Sequence, residues 1–164
     1  MAACDQSPAD RAAKPSEALY LYCVARVPAL SGIDGPGVDD EHSLSLVPFK
    51  DVVAVVSAVR VDDFCGAPAE ARMRDLAWVA PRAWRHHEVI KLAMRHSPVV
   101  PVRFAVLFSS RERLAAWLGT HQNAISCALD RFANHEEWVV KGTLDRCKAE
   151  ARLLRAGPER QGGQ

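Results

Sequence analysis

The sequence predicts an α+β fold in which two long helices pack on one face of a small, mainly antiparallel sheet. The 164 residues are 49% hydrophobic and 25% charged, which is typical of one globular domain. The predicted elements follow in the order β, β, β, α, β, α, β. Strands and helices of these lengths bury their apolar faces only against one another, and a two-layer sandwich is the simplest way to do so.

Three strands are predicted in the first third of the chain. Residues 19–24 are uncharged and rich in strand-forming side chains, which indicates a buried strand. Residues 44–47 and 52–59 predict a hairpin around residues 48–51. We expect the second of these strands at the centre of the sheet, because an exposed edge of eight uncharged residues invites aggregation. Glycine and proline between residues 31 and 37 indicate a surface loop, which an acidic run follows at residues 39–41.

The first long helix is predicted within residues 69–96, where apolar residues recur every three or four positions. Pro81 fits a helix interior badly and predicts a kink there, or a break between a short helix and a longer one. The stripe also places His87 on the core side, as a hydrogen-bonded interior or boundary histidine. Its members are Leu76, Val79, Ala80, Ala83, His87, Ile90, Ala93 and Met94.

The second long helix is predicted to begin after an N-cap serine, Ser109 or Ser110. Between the helices, residues 99–108 indicate a strand, and Pro101 restricts it to an edge, a bulge or an entry position. Residues 136–142 predict a last strand, and residues 145–155 a short helix. The apolar stripe of the second helix comprises Leu114, Trp117, Leu118, His121, Ile125, Ala128, Leu129 and Phe132.

The chain therefore divides into a flexible N-terminal arm over residues 1–18, one α/β domain over residues 19–143, and a short helix with a polar tail over residues 144–164. We find no apolar run long enough to span a membrane and no secretory signal in the first 18 residues. The five cysteines are widely spaced without a C-x-x-C motif, which favours free thiols over disulfides or a metal site. These features predict a cytoplasmic protein.

The charges are unevenly distributed although the net charge is only +1. Residues 72–113 carry nine basic and three acidic side chains. Such a segment raises the alternative of an anionic-surface or nucleic-acid binding module. Because the basic residues alternate with apolar residues at helical spacing, we favour a solvated helix face.

No catalytic or cofactor motif is present. The sequence lacks the glycine-rich phosphate-binding motifs and the G-x-S-x-G motif. His86 and His87 have no ligating residue three or four positions further along the helix, where a metal site needs one. We therefore expect no catalytic residue, no cofactor and no bound metal.

Two residue types allow either a structural or a partner-binding role. Arg103 lies in an otherwise apolar predicted strand, so we expect it to pair with a carboxylate, Glu88 or Glu137; the alternative is an anchor for an anion or a partner. The four tryptophans are expected mostly at core positions. One or two of them half-exposed on the same face would instead indicate a partner surface. They are Trp78, Trp84, Trp117 and Trp138.

Six short segments in this order resemble the gas vesicle protein F/L family. They are residues 19–22, residues 32–35, Val56 with Ser57, His87 with Glu88, residues 101–104 and residues 137–141. The likeness covers residues 19–143, and one departure is Ala105-Val106, where family members usually continue with Gly-Thr. The resemblance implies that His87, Glu88, Pro101, Arg103, Phe104, Glu137, Trp138 and Lys141 are signature positions with structural or partner-binding roles.

The resemblance also implies a function. It implies a modified ferredoxin-like domain in a non-enzymatic, chaperone-like accessory protein of gas vesicle assembly, located at the gas vesicle and in the cytoplasm. The implied partners are the major gas vesicle shell protein and other accessory proteins, with no nucleic acid and no membrane. Strand addition to a sheet edge and binding of a helix in an apolar groove remain open as modes of contact. A small-molecule enzyme on the same scaffold is the third hypothesis.

Overall fold

A computed structural model describes residues 17–27, 32–133 and 135 of the chain. The residues beyond 135 include the predicted last strand and short helix, which therefore lie outside the described residues. The elements are β1 (Glu17–Arg26), β2 (Leu44–Phe49), β3 (Val52–Arg60), α1 (Val61–Phe64), α2 (Ala67–Arg74), α3 (Leu76–Met94), β4 (Val99–Pro101), β5 (Leu107–Phe108) and α4 (Arg111–Phe132).

The sheet is antiparallel and has the strand order β2-β3-β1-β4, with β5 also paired to β1. The predicted hairpin is confirmed, and its uncharged second strand, β3, lies between β2 and β1 as expected. The predicted strand over residues 99–108 is instead split into β4 and β5. Ala105 between them has a left-handed backbone (φ 64°), which interrupts the extended conformation.

The α+β class and the small antiparallel sheet are confirmed, but the two long helices lie on opposite faces of the sheet. Leu21 and Val24 of β1 share a core cluster with Leu114 of α4. Tyr20 belongs to a second cluster together with Ile90 of α3. Alternate residues of a strand point to opposite faces, and both faces of β1 and β3 are apolar. A sheet with two apolar faces needs a layer of structure on each, so the one-face arrangement was wrong.

The helix break lies at Asp75 and not at Pro81, which sits inside α3. The Asp75 carboxylate caps α3 by accepting a hydrogen bond from the backbone N–H of Ala77 at 2.9 Å. The buried side of α3 consists of His86, Val89, Ile90 and Ala93. The predicted stripe is confirmed at Ile90 and Ala93 but was wrong at four exposed positions, Leu76, Ala80, His87 and Met94. Apolar residues occur all around this helix, so its periodicity alone does not identify the core side.

The N-cap of α4 is Ser110, whose hydroxyl accepts a hydrogen bond from the backbone N–H of Arg113 at 3.3 Å. The predicted stripe is confirmed at its four buried residues, Leu114, Leu118, Ile125 and Leu129. His121 and Phe132, predicted on the same stripe, are exposed. In the described part of the chain, no helix combines the length and the apolar character that crossing a membrane requires.

Two cysteines illustrate the thiol environments in this fold. Cys23 is a free thiol buried in β1, and burial raises its pKa to about 12. Cys127 of α4 is a free and exposed thiol. At its raised pKa Cys23 stays protonated at neutral pH, which suits a small core side chain.

Candidate functional site

The first half of α3 presents an apolar surface to solvent. We define the α3 outer face as Leu76, Ala77, Ala80, Pro81 and Trp84, all of which are exposed. The exposed fraction is 76% for Leu76 and 66% for Trp84. Leu76, Ala80 and Trp84 follow one another at intervals of four residues, so they lie on one side of the helix along about 12 Å. Large apolar side chains exposed together in this way are typical of an interaction surface.

Basic side chains surround the α3 outer face, and several of them are already neutralised. Arg85 donates two hydrogen bonds to one carboxylate oxygen of Asp40, at 3.0 and 2.7 Å. Lys91 contacts Glu88 at 2.9 Å. Arg74 and Arg95 are exposed and form no ion pair within the ranges that the structure describes. One unpaired cation, Arg74, therefore lies next to the face, and a second, Arg95, lies about three helical turns beyond Trp84.

A buried hydrogen-bond network fixes α3 against the sheet. His86 Nε2 lies 3.1 Å from the carbonyl oxygen of Val102, which only accepts, so this nitrogen carries the proton. His86 Nδ1 then accepts from the hydroxyl of Tyr20 at 3.0 Å, and that hydroxyl accepts from the N–H of Ala105 at 3.1 Å. Burial lowers the pKa of His86 and raises the pKa of Tyr20, so both stay neutral near neutral pH.

Tyr22 connects the same core to the loop before β2. Its hydroxyl lies 2.8 Å from Ser57 Oγ and accepts a hydrogen bond from the N–H of Val38 at 2.7 Å. Burial raises the pKa of Tyr22 to about 12. The ring of Tyr22 stacks on the imidazole of His86 with centroids 5.6 Å apart. Because the two networks touch through these rings, α3 has one defined orientation and its outer face is presented by a rigid scaffold.

The sheet edges offer little room for an added strand. At the outer edge of β2, the N–H of Leu44 already donates to the carbonyl oxygen of Gly35 at 2.9 Å. Outward-facing groups alternate along a strand, so Leu46 and Pro48 come next, and proline has no N–H. The opposite edge is formed by β4, which is three residues long and ends at Pro101, and by β5, which is two residues long. Between the two contact modes left open by the sequence, the structure thus favours a helix surface.

The structure corrects the prediction for His87. This residue is exposed on the solvent side of α3, 6.4 Å from Trp84 between ring centroids, and its neighbour His86 is the buried histidine. Glu88 contacts Lys91, which lowers the pKa of the Glu88 carboxyl. The helical phase differs by one position from the predicted stripe. His87 and Glu88 are therefore surface residues close to the α3 outer face.

The remaining signature positions separate into three groups. Pro101 ends β4, and Phe104 packs in the core cluster on the α3 side of the sheet. Arg103 is exposed, so the premise that it is a buried cation was wrong, and Glu88 is occupied by Lys91. The other suggested carboxylate is Glu137, which lies outside the described residues together with Trp138 and Lys141. A pairing of Arg103 with Glu137 stays a prediction.

The tryptophans follow the core expectation only in part. Trp78 packs against Phe64 with ring centroids 5.5 Å apart, and Trp117 against Phe108 at 5.7 Å. Trp84 does not face a core at all. The sequence did not indicate that Trp84 is the exposed tryptophan, because the apolar pattern of α3 does not determine which side of the helix faces the core.

One group of side chains has the spacing of a metal site. Ligand atoms of Asp39, Glu41 and His42 lie within 4.8 Å of one another. The Asp39 carboxylate also accepts hydrogen bonds from the backbone N–H groups of Glu41 and His42, both at 3.1 Å, and contacts His42 Nδ1 at 2.6 Å. This contact raises the pKa of His42. The three residues lie in a loop before β2, where the spacing of ligands along a helix gives no indication of them.

The absence of a metal stays a prediction. Because the Asp39 oxygens are engaged within the loop, we expect elemental analysis of the purified protein to find no stoichiometric metal. A full equivalent of bound metal that is lost in a His42→Ala variant would contradict this expectation.

The described fold is an α+β scaffold with an apolar helix face exposed to solvent, a feature found in proteins that bind other proteins. The family profile of gas vesicle synthesis protein GvpL/GvpF matches residues 18–164, and the chain belongs to this family. It is similar to gas vesicle protein L of Streptomyces sp. (strain CB03234), with 31% identity over 127 residues that cover 74% of this chain and 46% of the relative.

The fold is also similar to the crystal structure of gas vesicle protein GvpF from Anabaena sp. PCC7120. The TM-score is 0.62 at 15% sequence identity, and the match covers 87% of this chain and 54% of that chain. The chain therefore spans about half the length of both relatives. The structural likeness confirms the fold, and the family profile together with the sequence match shows the family.

Proposed function

We propose that this domain is an accessory factor of gas vesicle assembly that binds the hydrophobic shell protein. Membership of the GvpL/GvpF family carries the proposal, and the α3 outer face supplies a surface suited to it. A shell subunit that exposes a wide apolar face to gas would aggregate before assembly, and a chaperone-like partner prevents this by covering apolar surface. The proposed setting is the cytoplasm and the growing vesicle, with other accessory proteins as further partners.

Binding is expected to depend on apolar contacts and only modestly on salt. When this chain is co-expressed with the shell protein, we expect capture at low salt and nearly equal capture at about 0.5 M salt, where exposed charge contacts are screened but apolar contacts persist. Circular dichroism at both salt concentrations is the control for folding. If capture vanished at high salt while the protein stayed folded, the proposal would be wrong.

That outcome would favour the alternative of an anionic-surface or nucleic-acid binder that uses residues 72–113. The structure lends this alternative less weight than the sequence did. Arg72, Arg85 and Lys91 all belong to this segment and are all paired with carboxylates of the same chain. A binder of this kind would show a steep linear fall of log affinity with log salt concentration.

The hypothesis of a small-molecule enzyme gains no support from the depressions found among the residues that the structure describes. A depression beside α3, lined among others by Asp34, Arg85, Glu88 and Arg95, has a volume of about 200 Å³. Ligand pockets are typically about 300–1,000 Å³ and mostly apolar. The non-enzymatic role therefore stays part of the proposal.

A further inference from the structure

We infer that the α3 outer face is the docking site for an amphipathic helix of the partner, one with large aliphatic side chains on one face and acidic residues flanking them. The inference deepens the proposed function and rests on it for the identity of the natural partner. Its own basis is the shape of the face and the charge around it.

The shape of the face suits another helix. Leu76 and Trp84 project at its two ends, and only the small side chains of Ala77 and Ala80 lie between them together with the ring of Pro81. Two large side chains separated by small ones form a hole into which a leucine or isoleucine of a neighbouring helix packs. Because α3 is held by the His86 network on its other side, the face does not need to be ordered when the partner binds.

The charge around the face specifies the partner further. Arg74 precedes the face, and Arg95 is the C-cap of α3, about 16 Å beyond Trp84 along the same side of the helix. Neither has an ion-pair partner among the residues that the structure describes. Carboxylates on the incoming helix would complete these pairs and fix its register. A second copy packed with its α3 parallel to this one would bring the same cations together, and an antiparallel pair is distinguished by the oligomeric state in solution.

Two synthetic helical peptides with the same leucine stripe test the inference, one with glutamate and one with lysine beside the leucines. Binding of each labelled peptide to the full chain is measured by fluorescence anisotropy. We expect the glutamate peptide to bind at least roughly tenfold more tightly than the lysine peptide, and Trp84→Ala to weaken it by roughly tenfold or more. Arg95→Glu should reduce the difference between the peptides.

Phe132→Ala is the matched control, because Phe132 is an exposed aromatic residue at the end of α4, on the other side of the sheet. The affinity of the Phe132→Ala variant for both peptides should equal that of the unchanged chain. Trp84 is two-thirds exposed, so its replacement should leave thermal unfolding unchanged. Equal binding of the two peptides, or no effect of Trp84→Ala, would overturn the inference.

The shell protein separates this inference from the proposed function. Capture of the shell protein that survives Trp84→Ala would overturn the docking site and leave the proposed function standing. Peptide binding without any capture of the shell protein would overturn the proposed function and leave the docking site standing. A Trp84-dependent dimer in analytical ultracentrifugation would show that a second copy occupies the face, and would also overturn the inference.

Discussion

Replacing Gly37 with alanine should lower the free energy of unfolding by about 2–3 kcal/mol, which is in the upper range for overpacking a buried position. A Cβ at this position would lie 2.6 Å from Ser57 Oγ, 2.7 Å from Ser57 Cβ and 2.8 Å from the carbonyl oxygen of His42. Ser57 lies on β3 in the centre of the sheet and cannot move away. The loop must move instead, which breaks the hydrogen bond from Val38 to Tyr22.

Urea unfolding measures this effect, and the midpoint should fall at an unchanged m-value. Gly119→Ala provides the control, because its Cβ would meet only Phe49 Cζ at an ordinary 3.5 Å. Gly119 is an exposed position within α4, so alanine there should stabilise the protein by about 0.5–1 kcal/mol through helix propensity. Equal stability of the Gly37 variant and the unchanged chain would show that the loop yields without cost.

Local signals in the sequence predicted the strands and the ends of some elements correctly. The uncharged segments predicted β1 and β3 correctly. The central position of β3 in the sheet was also predicted, because an uncharged strand must be protected from solvent. The serine pair Ser109-Ser110 predicted the start of α4, because an N-cap depends on only four consecutive residues, and the structure selects Ser110 as the cap. These features depend on residues that are adjacent in the chain, so they can be predicted from a single sequence.

The arrangement of the layers depends on contacts between distant residues and was not predictable in the same way. Both faces of β1 are apolar, which required a helix on each face, but the sequence analysis placed both helices on one. The side of α3 that faces the core is decided by His86, whose partner Tyr20 lies 66 positions away in the sequence. A histidine pair such as His86-His87 gives no local indication of which one is buried.

The candidate site was missed for a related reason, because the helical phase of α3 was predicted incorrectly. With the stripe drawn through Leu76 and Met94, the exposed side of α3 was expected to be polar, and its apolar outer face was not recognised. Arg103 was expected to be buried because a continuous apolar strand was assumed, whereas β4 ends at Pro101 and leaves Arg103 in an exposed connection. The family signature itself is independent of this phase, which is why the family was identified although the surface was not.

Replacing His86 with leucine should lower the free energy of unfolding by about 3 kcal/mol, since it leaves two buried polar groups without their hydrogen-bond partner. The Tyr20 hydroxyl loses its acceptor, and the Val102 carbonyl loses its donor. His86→Gln should be milder, because an amide offers both a donor and an acceptor. Chemical denaturation of the three proteins at pH 8 gives this order directly, and a leucine variant as stable as the unchanged chain would contradict the network.

The pH dependence of stability tests the same residue without removing its packing. Burial, partly offset by the hydrogen bond to Val102 and aided by repulsion from His87, lowers the pKa of His86 in the folded protein. The unfolded chain then binds a proton first, near the ordinary pKa of about 6.5, so stability should decrease as the pH falls below that value towards the folded pKa. Protonated His86 would turn a second donor towards the Tyr20 hydroxyl, which already receives the N–H of Ala105.

The adjacent histidines provide a matched pair for this measurement. His86→Gln should remove most of the decrease in stability between about pH 7 and pH 5, whereas His87→Gln at the exposed neighbouring position should retain it. His42 acts in the opposite direction, because its raised pKa contributes stability that is lost as the pH rises, but it is common to all three proteins. The difference between the two variants therefore reports mainly on His86, because His87 makes the smallest of the three contributions to the shift in the pKa of His86. Parallel pH profiles of the two variants would show that His86 titrates normally and that α3 is held to the sheet by apolar packing alone.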